Sequence, residues 1–213
     1  MAGSNMFSSS SYQIRQDFKL DTMDIVVAVL LGVIQAAIEV FAMLGFLERT
    51  FWAMGPYGFL FYAAYNGMTW ILFYAGVYLR KRACIVMLAV AVTALVRWFA
   101  GDPDGPILLF HALFPATFGV MVIVMMRWQG GKLLFALAAA ITAAANQFSA
   151  LLLIGGFQIM ESFMWAIFTH LFAAIWGLLW GLAAWYLGKA LEHAGVPSLD
   201  KPPAISGGQI NHA

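Results

Sequence analysis

Charge is scarce in this sequence. Lys, Arg, Asp and Glu make up 10% of its 213 residues, against roughly 25% in a soluble domain. Its surface is therefore not built mainly for water. Cysteine is almost missing: Cys84 stands alone, which rules out an internal disulfide. The first residues are polar and lack the apolar core and small-residue cleavage site of a secretory signal. A net charge of +1 says nothing about nucleic acid, since the distribution of the charges is what matters, and no such partner is expected.

Catalytic signatures are missing as well. Gly130-Gly131-Lys132 is followed by Leu133 and lacks the upstream glycine of a Walker loop, so ATP hydrolysis by that route is excluded. There is no His-Glu-x-x-His zinc helix and no Gly-x-Ser-x-Gly elbow. No acid–base or nucleophile–base pair stands out. The chain reads as a non-enzyme, with no catalytic residue, no metal and no resident cofactor expected. Any energy-consuming work must draw on an ion gradient or on partner subunits.

What the sequence does have is apolar length. It is 63% hydrophobic with a mean hydropathy of +0.84. A helix needs about 20 mostly apolar residues to cross the hydrocarbon layer. Six stretches qualify: 25–47, 57–79, 83–99, 107–126, 133–154 and 163–187. The alternation of a membrane barrel is absent. The expected fold is an all-α membrane protein, a six-transmembrane-helix bundle spanning 25–190. A polar segment (1–24) precedes it, and a tail (191–213) with Pro197, Pro202, Pro203, Gly207 and Gly208 follows.

The connectors orient it. Arg15 and Lys19 precede the first span, Arg80, Lys81 and Arg82 follow the second, Arg127 and Lys132 follow the fourth, and Lys189 follows the sixth. The alternate connectors are poor in cations: the first has Arg49 as its only one, the next holds Asp102 and Asp104, and the last Glu161. Cations favour the cytoplasmic side, so both ends are expected in the cytoplasm, in a multi-pass protein of the plasma membrane.

Polar side chains inside spans are costly and usually face a bundle interior or a cavity. Here they are Gln35, Glu39, Asn66, Arg97, His111, Asn146, Gln147 and His170. On this topology nearly all fall in the outer half, a pattern suited to a cavity loaded from outside. Interhelical hydrogen bonding is the plainer use of such residues. Glu39 needs a cation to stay ionised there, supplied by Arg97, Arg49 or a charged ligand. Pro115 leaves the His111 carbonyl without its helical donor. Trp70, Trp98 and Trp165 offer flat apolar walls. The expected binding residues are Glu39, Asn66, Trp70, Arg97, His111, Asn146, Trp165 and His170, around a small aromatic or heterocyclic molecule. A different reading takes His111 and His170 as axial ligands of haem in a redox subunit.

Small residues recur at four-residue spacing. Ala28, Gly32 and Ala36 mark the first span, and Ala173, Gly177 and Gly181 the sixth. Such stripes let helices approach closely, either within one bundle or against another membrane protein.

Six spans with that first stripe resemble the substrate-binding (S) component of an energy-coupling-factor (ECF) ABC transporter. The stretch 56–106 is more specifically similar to YkoE-like S components, linked to hydroxymethylpyrimidine and thiamin uptake. The matching pieces are Gly67 with Trp70, Arg80-Lys81, and the connector Gly101-Asp102-Pro103-Asp104-Gly105-Pro106. Gly188-Lys189-Ala190 through Ala194-Gly195-Val196 also looks like that family's last helix and exit. Where that family has acidic residues in its third span, this chain has Val90 and Arg97. The resemblance implies capture of a vitamin-like molecule from outside, followed by toppling driven through a transmembrane coupling protein and two cytoplasmic ATPases. It also implies Ala28, Gly32 and Ala36 as the face that meets the coupling protein.

Overall fold

The computed structural model describes residues 17–42, 48–153 and 163–198. These form seven helices and no strand: α1 (Thr22–Ala42), α2 (Glu48–Ala53), α3 (Pro56–Arg80), α4 (Cys84–Phe99), α5 (Ile107–Met126), α6 (Lys132–Leu153) and α7 (Phe163–His193). The expected ends of the first span (43–47) and of the fifth (154), together with Arg15, Glu161 and the tail prolines Pro202 and Pro203, lie outside the described residues.

Local chemistry sets the helix ends. At the start of α1 the Asp24 N–H donates to Asp21 Oδ1 (2.7 Å) and the Asp21 N–H donates to Asp24 Oδ2 (3.0 Å). This is a reciprocal box built from two aspartates, and it satisfies two N–H groups the helix cannot. Pro56 opens α3, where its missing N–H costs nothing. Lys81 (φ 48°) closes α3 in the left-handed region and donates its N–H to the Val77 carbonyl. The helix α5 runs unbroken through Pro115.

Four of these helices, α1, α5, α6 and α7, are long and apolar enough to cross a membrane. The 16 residues of α4 are apolar but reach only about 24 Å at about 1.5 Å per residue. The 25 residues of α3 reach about 38 Å, but Tyr62, Tyr65, Asn66 and Thr69 dilute their hydropathy. The molecule is an all-α, multi-pass membrane protein.

The helices close a ring. Around it, α1 packs on α4, α4 on α5, α5 on α6, α6 on α7, α7 on α3 and α3 on α1. Helix α3 also reaches α4 and α6 across the interior. It therefore supplies most of the core, with Trp70, Phe73, Tyr74 and Val77 packed against Ile85, Val86, Val90 and Ala116.

The small-residue stripes hold this ring together. Ala28 and Ala36 are fully buried, and a Cβ on Gly32 would lie 2.6 Å from the Ala89 carbonyl oxygen and 2.7 Å from the Val92 Cβ. The Thr93 hydroxyl donates to the Gly32 carbonyl at 3.0 Å. The first stripe is thus closed by α4, which corrects its expected role as an open face for a coupling protein: no second protein can reach it without displacing α4. Gly177 and Gly181 seat α7 on Phe135, Ala136, Ala139, Ala140 and Ala143 of α6 in the same way.

At the Arg80 end of the bundle the cations are largely paired. Arg80 donates to Asp24 Oδ1 (2.7 Å) and bridges Asp21 (3.1 Å), while Arg82 lies 3.7 Å from Asp24. The N–H of Asp24, with Arg80 and Arg82, lowers the Asp21 pKa below its ordinary value. The Trp128 indole donates to Asp17 at 2.7 Å, so the residues before α1 tie down both the α3–α4 and the α5–α6 turns.

Candidate functional site

The opposite end of the bundle holds a pocket walled by five of the ring helices and one connector. Glu39 comes from α1; Tyr62, Tyr65, Asn66, Thr69, Trp70 and Phe73 from α3; Val90, Thr93, Ala94 and Arg97 from α4. Asp104 reaches in from the α4–α5 connector, Leu108, His111 and Ala112 from α5, and Asn146 from α6. Counting its open mouth, its empty volume is about 680 Å³. That is a space for a small molecule, lined as such sites are by aromatic walls and a few polar groups.

One charged assembly rims it. Arg97 Nη1 donates to Glu39 Oε2 at 2.7 Å, and its Nε and Nη2 donate to Asp102 Oδ2 at 2.9 and 2.6 Å. Gln35 Nε2 donates to Glu39 Oε1 at 2.8 Å. Glu39 thus has the cation it needs, and Arg97 is held between two carboxylates. Asp102 is fixed further by the Asp104 N–H, 3.1 Å from its Oδ1. The Asp104 carboxylate has no hydrogen bond or ion pair among the described residues. Burial pushes its pKa up, Asp102 pushes it the same way, and Arg97 opposes them.

Deeper in, two donors have no acceptor. Trp70 is 4% exposed, and neither its Nε1 nor Asn66 Nδ2 has a hydrogen-bond partner among the described residues. A buried donor left unmade costs about 1–3 kcal/mol, so these two mark where an acceptor belongs. The Ser149 hydroxyl donates to the Asn146 carbonyl at 2.9 Å, and it lies 2.8 Å from His111 Nδ1. The Ser149 hydroxyl thus bridges the Asn146 carbonyl and the His111 ring. Beneath the pocket, Tyr74 is fully buried with its hydroxyl 2.6 Å from that of Thr142, which itself donates to Ala138.

Of the eight residues the sequence singles out, the structure brings six to this pocket: Glu39, Asn66, Trp70, Arg97, His111 and Asn146. Trp165 and His170 are not among its walls. Trp165 packs edge-on against Tyr57 and Phe168, and His170 lies beside Phe148 with Nδ1 2.6 Å from the Ala166 carbonyl. His170 is thus not among the walls of the pocket that holds His111, an arrangement that does not favour the pair as axial ligands of one haem. Trp98 stacks on Phe99 and is not among the pocket's walls. Gln147 is buried but lies outside the pocket, with neither amide atom partnered among the described residues. The Arg49 side chain lies outside what the structure describes. Sequence reasoning missed the breadth of the α3 wall, although its signal is legible: 62, 65, 66, 69, 70 and 73 follow the spacing of one helix face.

The arrangement is thus an all-α membrane bundle with a polar, aromatic-walled pocket at one end. Among solved structures, one titled "Crystal structure of an S-component of ECF transporter" shares this fold, with a TM-score of 0.67 over 83% of this chain and 85% of that one. Sequence identity is 19%, so the likeness speaks for the fold. No family model matches the chain, and no curated protein matches it.

Proposed function

We propose that this chain is the substrate-capture subunit of an ATP-driven importer of the energy-coupling-factor type, taking up a vitamin or vitamin precursor. The observation that carries this is the pocket, whose lining residues Trp70 and Asn66 each keep a buried donor, Nε1 and Nδ2, without a partner among the described residues, beside aromatic walls. The S-component fold supports the reading, as does a sequence that offers no nucleotide-binding loop of its own. Transport then requires a transmembrane coupling protein and cytoplasmic ATPases. Six spans with both ends in the cytoplasm complete the proposal, and the pocket then opens to the outside of the plasma membrane. Glu39 and Arg97 shape the rim, Asn66, Trp70, His111 and Asn146 orient the ligand, and the finer expectation is a ligand of the thiamin or hydroxymethylpyrimidine type.

Titrating the purified protein with thiamin and hydroxymethylpyrimidine, followed by tryptophan fluorescence, tests this. Saturable binding by the wild type, lost in a pocket-filling Ala112→Phe variant with an unchanged melting profile, is the expected result. Binding unaffected by Ala112→Phe would place the ligand elsewhere.

A further inference from the structure

We infer that Asp104 is the specificity residue of this pocket, selecting a planar heteroaromatic molecule that carries a positive charge over a neutral one of similar shape. The inference rests on the proposed capture function and says which of its ligands the site favours.

Charge balance carries the argument. The rim gathers one guanidinium, Arg97, and three carboxylates, those of Glu39, Asp102 and Asp104. Arg97 is bonded on one edge to Glu39 and on the other to Asp102, at 2.6–2.9 Å. The guanidinium is thus already neutralised within the protein. Asp104 remains, lining the pocket with no hydrogen bond or ion pair to its carboxylate among the described residues.

A carboxylate without a counter-ion beside a partly dehydrated pocket favours a cation there and disfavours an anion. Its position is fixed, not incidental. The Asp104 N–H is held by Asp102 Oδ1, and Asp102 is held in turn by Arg97, so the connector presents Asp104 on a rigid frame.

The other end of the ligand is defined independently. Trp70 Nε1 and Asn66 Nδ2 are donors awaiting acceptors, and Tyr62, Tyr65, Trp70 and Phe73 supply flat walls. A molecule with an acceptor-bearing ring seated against α3 and a cationic ring towards Asp104 satisfies both. Thiamin, an aminopyrimidine linked to a thiazolium, has this composition. Hydroxymethylpyrimidine has the acceptor ring without the fixed charge.

The test is a pair of dissociation constants, for thiamin and for hydroxymethylpyrimidine, in the wild type, Asp104→Asn and Asp104→Glu. The wild type is expected to prefer thiamin. Asp104→Asn is expected to weaken thiamin about 10- to 100-fold, the range of a lost charge-assisted interaction, and to leave hydroxymethylpyrimidine within about threefold. Asp104→Glu keeps the charge and is expected to restore most of the preference, which separates charge from damage to the connector. Equal loss of both ligands in Asp104→Asn, or an unchanged ratio between them, overturns the inference while leaving the capture function intact. If neither compound binds the wild type, the ligand class proposed above is what fails.

Discussion

At the residue scale, Arg97 does the most to join the site to the fold. It ties α1, α4 and the α4–α5 connector through Glu39 and Asp102, whose side chains are 10% and 1% exposed. Arg97→Ala leaves two carboxylates unpaired in a mostly dehydrated setting and is expected to cost about 3 kcal/mol of stability, the low end for breaking a buried pair. Thermal unfolding in detergent measures it, and a melting temperature equal to wild type would show that the pair is solvated. Asp104 adds a pH dependence. Burial raises its pKa above the ordinary 3.8, so it loses its charge earlier than a free aspartate as pH falls. On the proposed role of Asp104, thiamin binding is expected to be strongest with that carboxylate ionised. The affinity advantage of wild type over Asp104→Asn should therefore shrink as the solution is acidified. An advantage constant down to acid pH contradicts the assignment.

At the element scale, much was legible. Apolar length and the lack of alternation place the starts of α1 and α3–α7 within three residues, while α7 runs on to His193, six residues past its expected end. The sequence does not reveal which way each helix turns, since hydropathy leaves rotation free. Trp165 and His170 therefore read as pocket residues in the sequence, although α7 turns them elsewhere. The same freedom lets a stripe of small residues be taken for an open face when α4 covers it. Asp24 was hidden for a related reason. It sits at the end of a polar segment, and nothing local predicts that it pairs with Arg80, 56 positions further on. The buried stripe gives a prediction. Gly32→Leu is expected to disrupt the α1–α4 packing and lower thermal stability sharply, because its Cβ alone would collide with Ala89 and Val92. A fully stable Gly32→Leu protein would mean that α1 is only loosely seated.

At the scale of the whole molecule, the two ends of the bundle are chemically different, and the proposal depends on that difference. One end is closed by Asp17, Asp21 and Asp24 against Arg80, Arg82 and Trp128. The other opens a pocket whose donors are unsatisfied. Orientation by cationic connectors counts Lys and Arg and gives acidic residues little weight, so the pairing of Arg80 with Asp24 does not alter the proposed topology. In a Cys84→Ala background, a cysteine at Gly131 should label only from the cytoplasm and one at Gly105 only from outside. The reverse pattern would turn the pocket towards the cell interior. The most direct measurement is native mass spectrometry of the protein released gently from its membrane, beside the Ala112→Phe variant. The account predicts one small heteroaromatic molecule bound to the wild type and none to the variant. A wild type with no bound molecule after supplying thiamin, or a variant that keeps it, would contradict the claim that this pocket captures the substrate.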